Sequence, residues 1–252
     1  MRLFAFTCGW LTSSLENFIE GGSGEIRVPV PVFLIEHARG RVLFDSGLHP
    51  QTQHDPRGRL GSFLADLFRV EFGAGEDVAG RLGSLGVDAG AVDYVIASHL
   101  HFDHAGGLES LPNARLVVQR PEWQAGMDAD LARRNGFAAK DYDLGHSRLE
   151  VAGEHDLFGD GRVVCLPTYG HTPGHQSLRV RLDSSDVVLT GDACYFRQTL
   201  ETLRLPRFSF DRKQHLSSLD ALRRLQAGGA RIVFGHDPEQ WATIAQAPAT
   251  VD

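Results

Sequence analysis

The chain has 252 residues, 42% hydrophobic and 23% charged, with a formal net charge of -7. That is enough apolar material for one large layered domain, and no linker-like stretch divides it. The acidic balance without a basic block speaks against a nucleic-acid or anionic-membrane partner. No stretch approaches the roughly 18 apolar residues of a membrane span. Three scattered cysteines suit a reducing compartment, the cytoplasm, better than a disulfide scaffold.

Residues 1–10 hold a short apolar run ending at Cys8. It lacks the length and cleavage pattern of a signal peptide, so an opening strand is expected. Residues 28–36 and 41–44 read as a hairpin running into the turn Asp45-Ser46-Gly47. Pro29 and Pro31 imply that its first strand starts late or lies at an edge. Residues 48–75 read as a long loop with a short helix, a lid or substrate loop carrying Phe63, Leu64, Leu67 and Phe68. Helical spacing follows at 76–85, then apolar strand runs at 92–97, 116–119, 162–166, 177–182, 187–190 and 231–234. Residues 211–227 read as a helix with Leu216, Leu219, Leu222 and Leu225 every three positions, closed by Gly228-Gly229. Strands in both halves with helices between them predict one layered α/β domain, residues 1–252, with mixed sheets.

Twelve histidines stand out. Directly after the 92–97 strand comes Ser98-His99-Leu100-His101-Phe102-Asp103-His104, with four potential metal ligands within six residues. His99 and His101 share a face if the strand continues, whereas the adjacent Asp103 and His104 can point to different places. That arrangement suits two neighbouring divalent ions better than one. His171, Asp192 and His236 each follow a later apolar strand and lie beside or near a glycine, so ligands from several strand ends can meet at one rim. His37, His49, His54, His146, His155 and His215 lack ligand spacing, and most are expected at the surface.

The histidine block, Gly170-His171-Thr172-Pro173-Gly174-His175, Thr190-Gly191-Asp192 and Gly235-His236 together resemble the metallo-β-lactamase superfamily. The resemblance runs from Val28 to His236. It implies a four-layer αβ/βα sandwich of two mixed sheets flanked by helices, with a binuclear metal site at one edge. It further implies that His99, His101 and His171 hold one metal, that Asp103, His104 and His236 hold the other, and that Asp192 bridges them. Asp45 and His175 are then supports behind the ligands. Tyr195, three residues after Asp192, and Gly235-His236-Asp237-Pro238-Glu239-Gln240 are similar to the N-acyl-homoserine lactonase branch.

The activity implied is quorum-quenching hydrolysis of a small-molecule lactone by a metal-bridging hydroxide. Tyr195 and a metal would stabilise the oxyanion. Asp103 acts as a proton donor or as a ligand only, and Phe102 packs against substrate or simply packs. Phe63, Leu64, Leu67 and Phe68, or Leu200, Leu203, Leu205, Phe208 and Phe210, line an acyl groove or belong to the core or to a homodimer contact. Two divalent ions per chain are expected, zinc first, with iron, cobalt or manganese as alternatives. Competing readings are another lactonase, a glyoxalase II-like thioesterase, a mononuclear iron sulfur dioxygenase and a non-catalytic binding protein. Arg197, Arg204 and Arg207 are the arginines available for an anionic thioester.

Overall fold

The computed structural model of the chain describes residues 1–251. Its strands are β1 (Arg2–Ser14), β2 (Glu25–His37), β3 (Gly40–Phe44), β4 (Arg69–Glu71), β5 (Tyr94–Ile96), β6 (Arg115–Gln119), β7 (Arg148–Val151), β8 (His155–Asp156), β9 (Val163–Pro167), β10 (Gln176–Arg181), β11 (Asp186–Leu189) and β12 (Arg231–Val233). Its helices are α1 (Leu15–Phe18), α2 (Pro56–Leu67), α3 (Val78–Ser84), α4 (Arg120–Met127), α5 (Ala129–Asn135), α6 (Ala139–Tyr142), α7 (Arg197–Thr202), α8 (Arg212–Ala227) and α9 (Pro238–Trp241).

Two mixed sheets form, in the orders β4-β1-β2-β3-β5-β6-β7 and β12-β11-β10-β9-β8. The period-two alternation of the strands decides the layering. Phe4, Phe6, Val32, Leu34, Leu116 and Val118 face outward onto Val78, Leu82, Trp123 and Tyr142 of the helices. Their neighbours Leu3, Ala5, Phe33, Ile35 and Val117 face inward and pack against Val163, Cys165, Leu178 and Val187 of the second sheet. On that sheet's far side, Val164, Leu166, Val188 and Ile232 meet Leu219 and Leu222 of α8. The result is the four-layer αβ/βα sandwich.

Several expectations need correction. β2 begins at Glu25 and is central, paired with both β1 and β3. Pro29 and Pro31 are tolerated there because they face Trp10 and Thr7 across the register shift in β1, where the ladder is already interrupted. Residues 48–75 are more structured than a loop with a short helix: a 3-10 turn at Pro50–Gln53 leads into α2, and β4 adds to the edge of β1. The buried face of α8 is His215, Ser218, Leu219 and Leu222, so two of the four leucines lie on it, while Leu225 packs at its edge and Leu216 is 36% exposed. A true helical stripe advances by 3 and 4 residues, and a strict three-residue repeat drifts off it.

The strand ends converge at one rim, where polar side chains tie the two sheets together. Gln176, at the start of β10, donates its backbone N–H to Ser98 O at 2.8 Å and its side-chain amide to Ala97 O at 2.8 Å. Gln119, at the end of β6, donates to Gln176 Oε1 at 3.1 Å.

Candidate metal centre

The loop after β5 leaves the sheet because carboxylates take its amides. Ser98 N–H donates to Asp45 Oδ1 at 2.6 Å, and Leu100 N–H donates to Glu122 at 3.0 Å. The strand therefore stops at Ile96, and it is the loop, not a continued strand, that brings His99 Nε2 and His101 Nδ1 to 2.8 Å. A tight turn then closes, with the N–H groups of His104 and Ala105 both donating to His101 O. This turn folds Asp103 and His104 toward one place, so their tips do not diverge: Asp103 Oδ2 lies 3.6 Å from His104 Nε2.

Two groups of ligand atoms result. His99, His101, His171 and Asp192 form one, and Asp103, His104 and His236 form the other. The Asp192 carboxylate is divided between them. Its Oδ1 lies 3.1 Å from both His104 Nε2 and His236 Nε2. Its Oδ2 lies 3.4 Å from His171 Nε2 and 3.6 Å from His99 Nε2.

The outer edges of the rings are held by acceptors. His104 Nδ1 donates to Asp45 Oδ2 at 2.8 Å, His236 Nδ1 to Pro29 O at 2.7 Å, and His101 Nε2 to Asn135 O at 2.7 Å. A neutral imidazole has one donor nitrogen, so whenever these three rings are neutral their inward nitrogens are bare lone pairs. They face one another and a carboxylate. His104 Nε2 and Asp192 Oδ1 are buried without a hydrogen-bond partner. Acceptors converging on acceptors in a buried site call for positive charge, from protons or from a metal, and nitrogen and carboxylate ligands suit a divalent metal.

The titration behaviour agrees. Burial pushes His99 and His171 well below the ordinary imidazole range, and His101 below it. Burial also opposes charge on His104 and His236, but the carboxylates of Asp192 and Asp103 outweigh it and raise both. Burial opposes charge on Asp192 too, yet His104, His236 and His99 pull its carboxyl well below the usual range. The pocket attracts positive charge, which a metal supplies in place of protons.

Asp45 adopts φ 62°, a left-handed conformation that aspartate tolerates. It aims both oxygens at the site: Ser98 Oγ and His104 Nδ1 both donate to Oδ2. His175 supports Asp192 by accepting its backbone N–H at 3.0 Å. Burial pushes His175 down to about 3, which keeps it neutral and able to accept.

A cavity of about 340 Å³ opens over the ligands, lined among others by Phe63, Leu64, Leu67, Phe68, Phe102, Tyr195 and Phe208. Leu200 and Leu205 lie in the core against α8 instead, and Leu203 packs at its edge. Arg204 is bound to Glu20 O. The arginines on the cavity wall are Arg133 and Arg134 of α5, beside Asn135. They read in sequence as an ordinary charged helix face, so no pattern reveals them. Glu122 was equally silent, since Arg120-Pro121-Glu122 resembles an exposed helix start. His215 did carry a signal, lying four and seven residues before Leu219 and Leu222. It is 0% exposed, His49 is buried as well, and only His54 of the six unassigned histidines is exposed. Buried imidazoles that hydrogen-bond loop carbonyls, as His215 does with Ala193 O at 3.0 Å, need no ligand spacing.

Two mixed sheets in an αβ/βα sandwich, with a histidine–aspartate metal centre at one rim, define a class. Residues 26–236 match the metallo-beta-lactamase superfamily, and the chain belongs to that family. Among curated relatives, it is 34% identical to N-acyl homoserine lactonase AttM of Azorhizobium caulinodans, over 100% of this chain and 99% of that protein. It is 31% identical to N-acyl homoserine lactonase AiiA of Bacillus thuringiensis subsp. kurstaki, over 85% and 84% of the two chains. The structure of an N-acyl homoserine lactone hydrolase, with the product N-hexanoyl-L-homoserine at its catalytic metal centre, superposes with a TM-score of 0.89 at 26% identity, covering 99% and 98% of the chains. Among the described residues no helix is long and apolar enough to cross a membrane.

Proposed function

We propose that the chain is a metal-dependent lactonase that hydrolyses the ring ester of N-acyl homoserine lactones. The observation that carries this reading is the division of the Asp192 carboxylate between two ligand sets on the floor of a largely apolar cavity. His99, His101 and His171 would hold one divalent ion, and Asp103, His104 and His236 the other, with Asp192 shared and zinc the first choice. When bound, the ions supply a water acidified toward neutral pH and an electrophile for the carbonyl.

The chain's own residues do the rest. Burial first, then the carboxylates of Asp192 and Asp103, raise Tyr195 well above the phenol range. Tyr195 therefore stays an O–H donor at neutral pH, and its hydroxyl, which lies beside the Asp192 carboxylate, would meet the carbonyl oxygen as charge develops on it. Asp103 belongs to a ligand set and also lines the cavity, which supports a role in passing a proton from the attacking water to the departing ring oxygen. Phe102, Phe63, Leu64 and Phe68 offer the acyl chain an apolar wall.

Purified protein should contain about two metal ions per chain. It should acidify a pH indicator with N-acyl homoserine lactones of several chain lengths, and faster than with a thioester or an unsubstituted lactone. Metal-loaded protein that leaves every lactone intact would sink the proposal.

A further inference from the structure

His99 and His101 lie on the loop after β5, whereas His171 lies on the turn between β9 and β10, some seventy residues later. One side chain from a third element joins them. Glu122 of α4 accepts Leu100 N–H on Oε1 at 3.0 Å, and Thr172 Oγ1 at 2.9 Å and Gly174 N–H at 2.7 Å on Oε2. Leu100 sits between His99 and His101, and Thr172 directly follows His171. We infer that Glu122 is the positioning residue of the three-histidine set, clamping its two loops in the register that lets one ion be shared between them.

Glu122 is 0% exposed, and a buried carboxylate is costly unless its lone pairs are filled. Its three partners are uncharged donors, two of them backbone amides, so the conformation of both loops is written into its satisfaction. The helix and the loop also touch directly: a Cβ on Gly174 would lie 2.3 Å from Glu122 N. The other ligand set is braced differently, His104 by Asp45 and His236 by Pro29 O. A fault at Glu122 should therefore fall on one set.

The inference rests on the two-ion reading above, and its test separates the two. Glu122→Gln keeps size and shape but replaces one acceptor oxygen with an NH₂ that faces N–H or O–H donors. Zinc is titrated into apoprotein against a chromophoric chelator. The wild-type chain should show two binding steps. E122Q should weaken one step roughly 10–100-fold, the range for supports behind a metal ligand, and leave the other within about threefold. Two backgrounds assign the step. In His236→Ala, where the three-histidine set remains, E122Q should weaken the surviving step; in His171→Ala it should not. If E122Q fails to fold, Thr172→Val, which removes one of the three donors, should weaken the same step by a smaller factor. A single step in the wild-type chain would overturn the two-ion reading and the selectivity with it. Two wild-type steps that E122Q leaves alone, or weakens equally, would overturn the clamp alone.

Discussion

The backbone N–H of Asp192 donates to Nε2 of His175 at 3.0 Å, and this one contact sets the direction of a whole chain of hydrogen bonds. With Nε2 accepting, the ring proton lies on Nδ1 and points at Thr168 Oγ1, 3.0 Å away. Thr168 then donates to Ser177 Oγ at 2.8 Å, and Ser177 donates to Thr190 O at 2.8 Å. The chain returns to the segment that carries Asp192, so its carboxylate is fixed from behind. His175→Leu should leave the Asp192 N–H buried and unpaired, at a cost of about 1–3 kcal/mol. Urea unfolding of the apoprotein should show that loss, and zinc affinity should fall roughly 10–100-fold. His175→Gln, which can still accept from Asp192, should recover part of both. Unchanged zinc affinity in the leucine variant would contradict the role given to His175.

Tyr195 has its ring 5.7 Å from that of His171 and 5.3 Å from that of His236, against both ligand sets. Tyr195→Phe keeps the ring and removes the donor. Turnover should fall roughly 10²–10³-fold, the range for a lost oxyanion donor, with metal content unchanged. Loss of metal alongside activity would make Tyr195 a structural residue of the site.

The parts of the site that read out of the sequence are those where chemistry and local pattern coincide. His99, His101, Asp103 and His104 form a dense block after an apolar run, and Asp192 and His236 follow further strands. The clamp and the braces are different. Glu122, Asn135 and Pro29 act through single side-chain or carbonyl atoms whose partners are distant in sequence, and no periodicity encodes such meetings. In the fold, apolar strands were legible because alternation or a buried run marks them. α4, α5 and α6 were not, because their short sequences are largely polar and owe their place to Trp123, Phe137 and Tyr142 packing on the first sheet. Pro29 misled for a related reason: strand grammar excludes proline from a sheet centre unless a bulge lies opposite, and the bulge belongs to β1.

His215 gives the site a defined acid limit. Burial pushes it from 6.5 down to about 4, while Ser209 Oγ and Ala193 O hold its two nitrogens at 3.0 Å each. Its folded pKa lies below the unfolded one, so the unfolded chain binds the extra proton. The stability it contributes is complete above pH 6.5 and is lost as pH falls toward 4, by about 3 kcal/mol at most. His215→Gln can keep the bond to Ala193 O without titrating. Chemical denaturation of the two apoproteins at pH 7.5 and 4.5 should show a smaller acid loss in the variant. Parallel losses would assign the acid sensitivity to other groups.

The acyl wall should discriminate by chain length. The first half of α2 is tied down: the Arg59 guanidinium pairs with Asp141, and Lys140 donates to Arg59 O. Gly61, at φ 81° and ψ 166°, breaks the helix, and the second half carries Phe63, Leu64 and Leu67 over the cavity, with Phe63 71% exposed. Phe68 closes this wall, its ring 5.7 Å from Phe102 and 6.1 Å from Phe18. Each methylene buried contributes about 0.8 kcal/mol, so truncating the wall should penalise long chains selectively. Phe68→Ala should lower kcat/KM for an N-decanoyl lactone about tenfold, the loss of roughly two buried methylenes. An N-butanoyl lactone, with fewer methylenes to bury against the wall, should change about twofold or less by the same reasoning. Equal losses for both substrates would move Phe68 from the chain's path to the seat of the lactone ring.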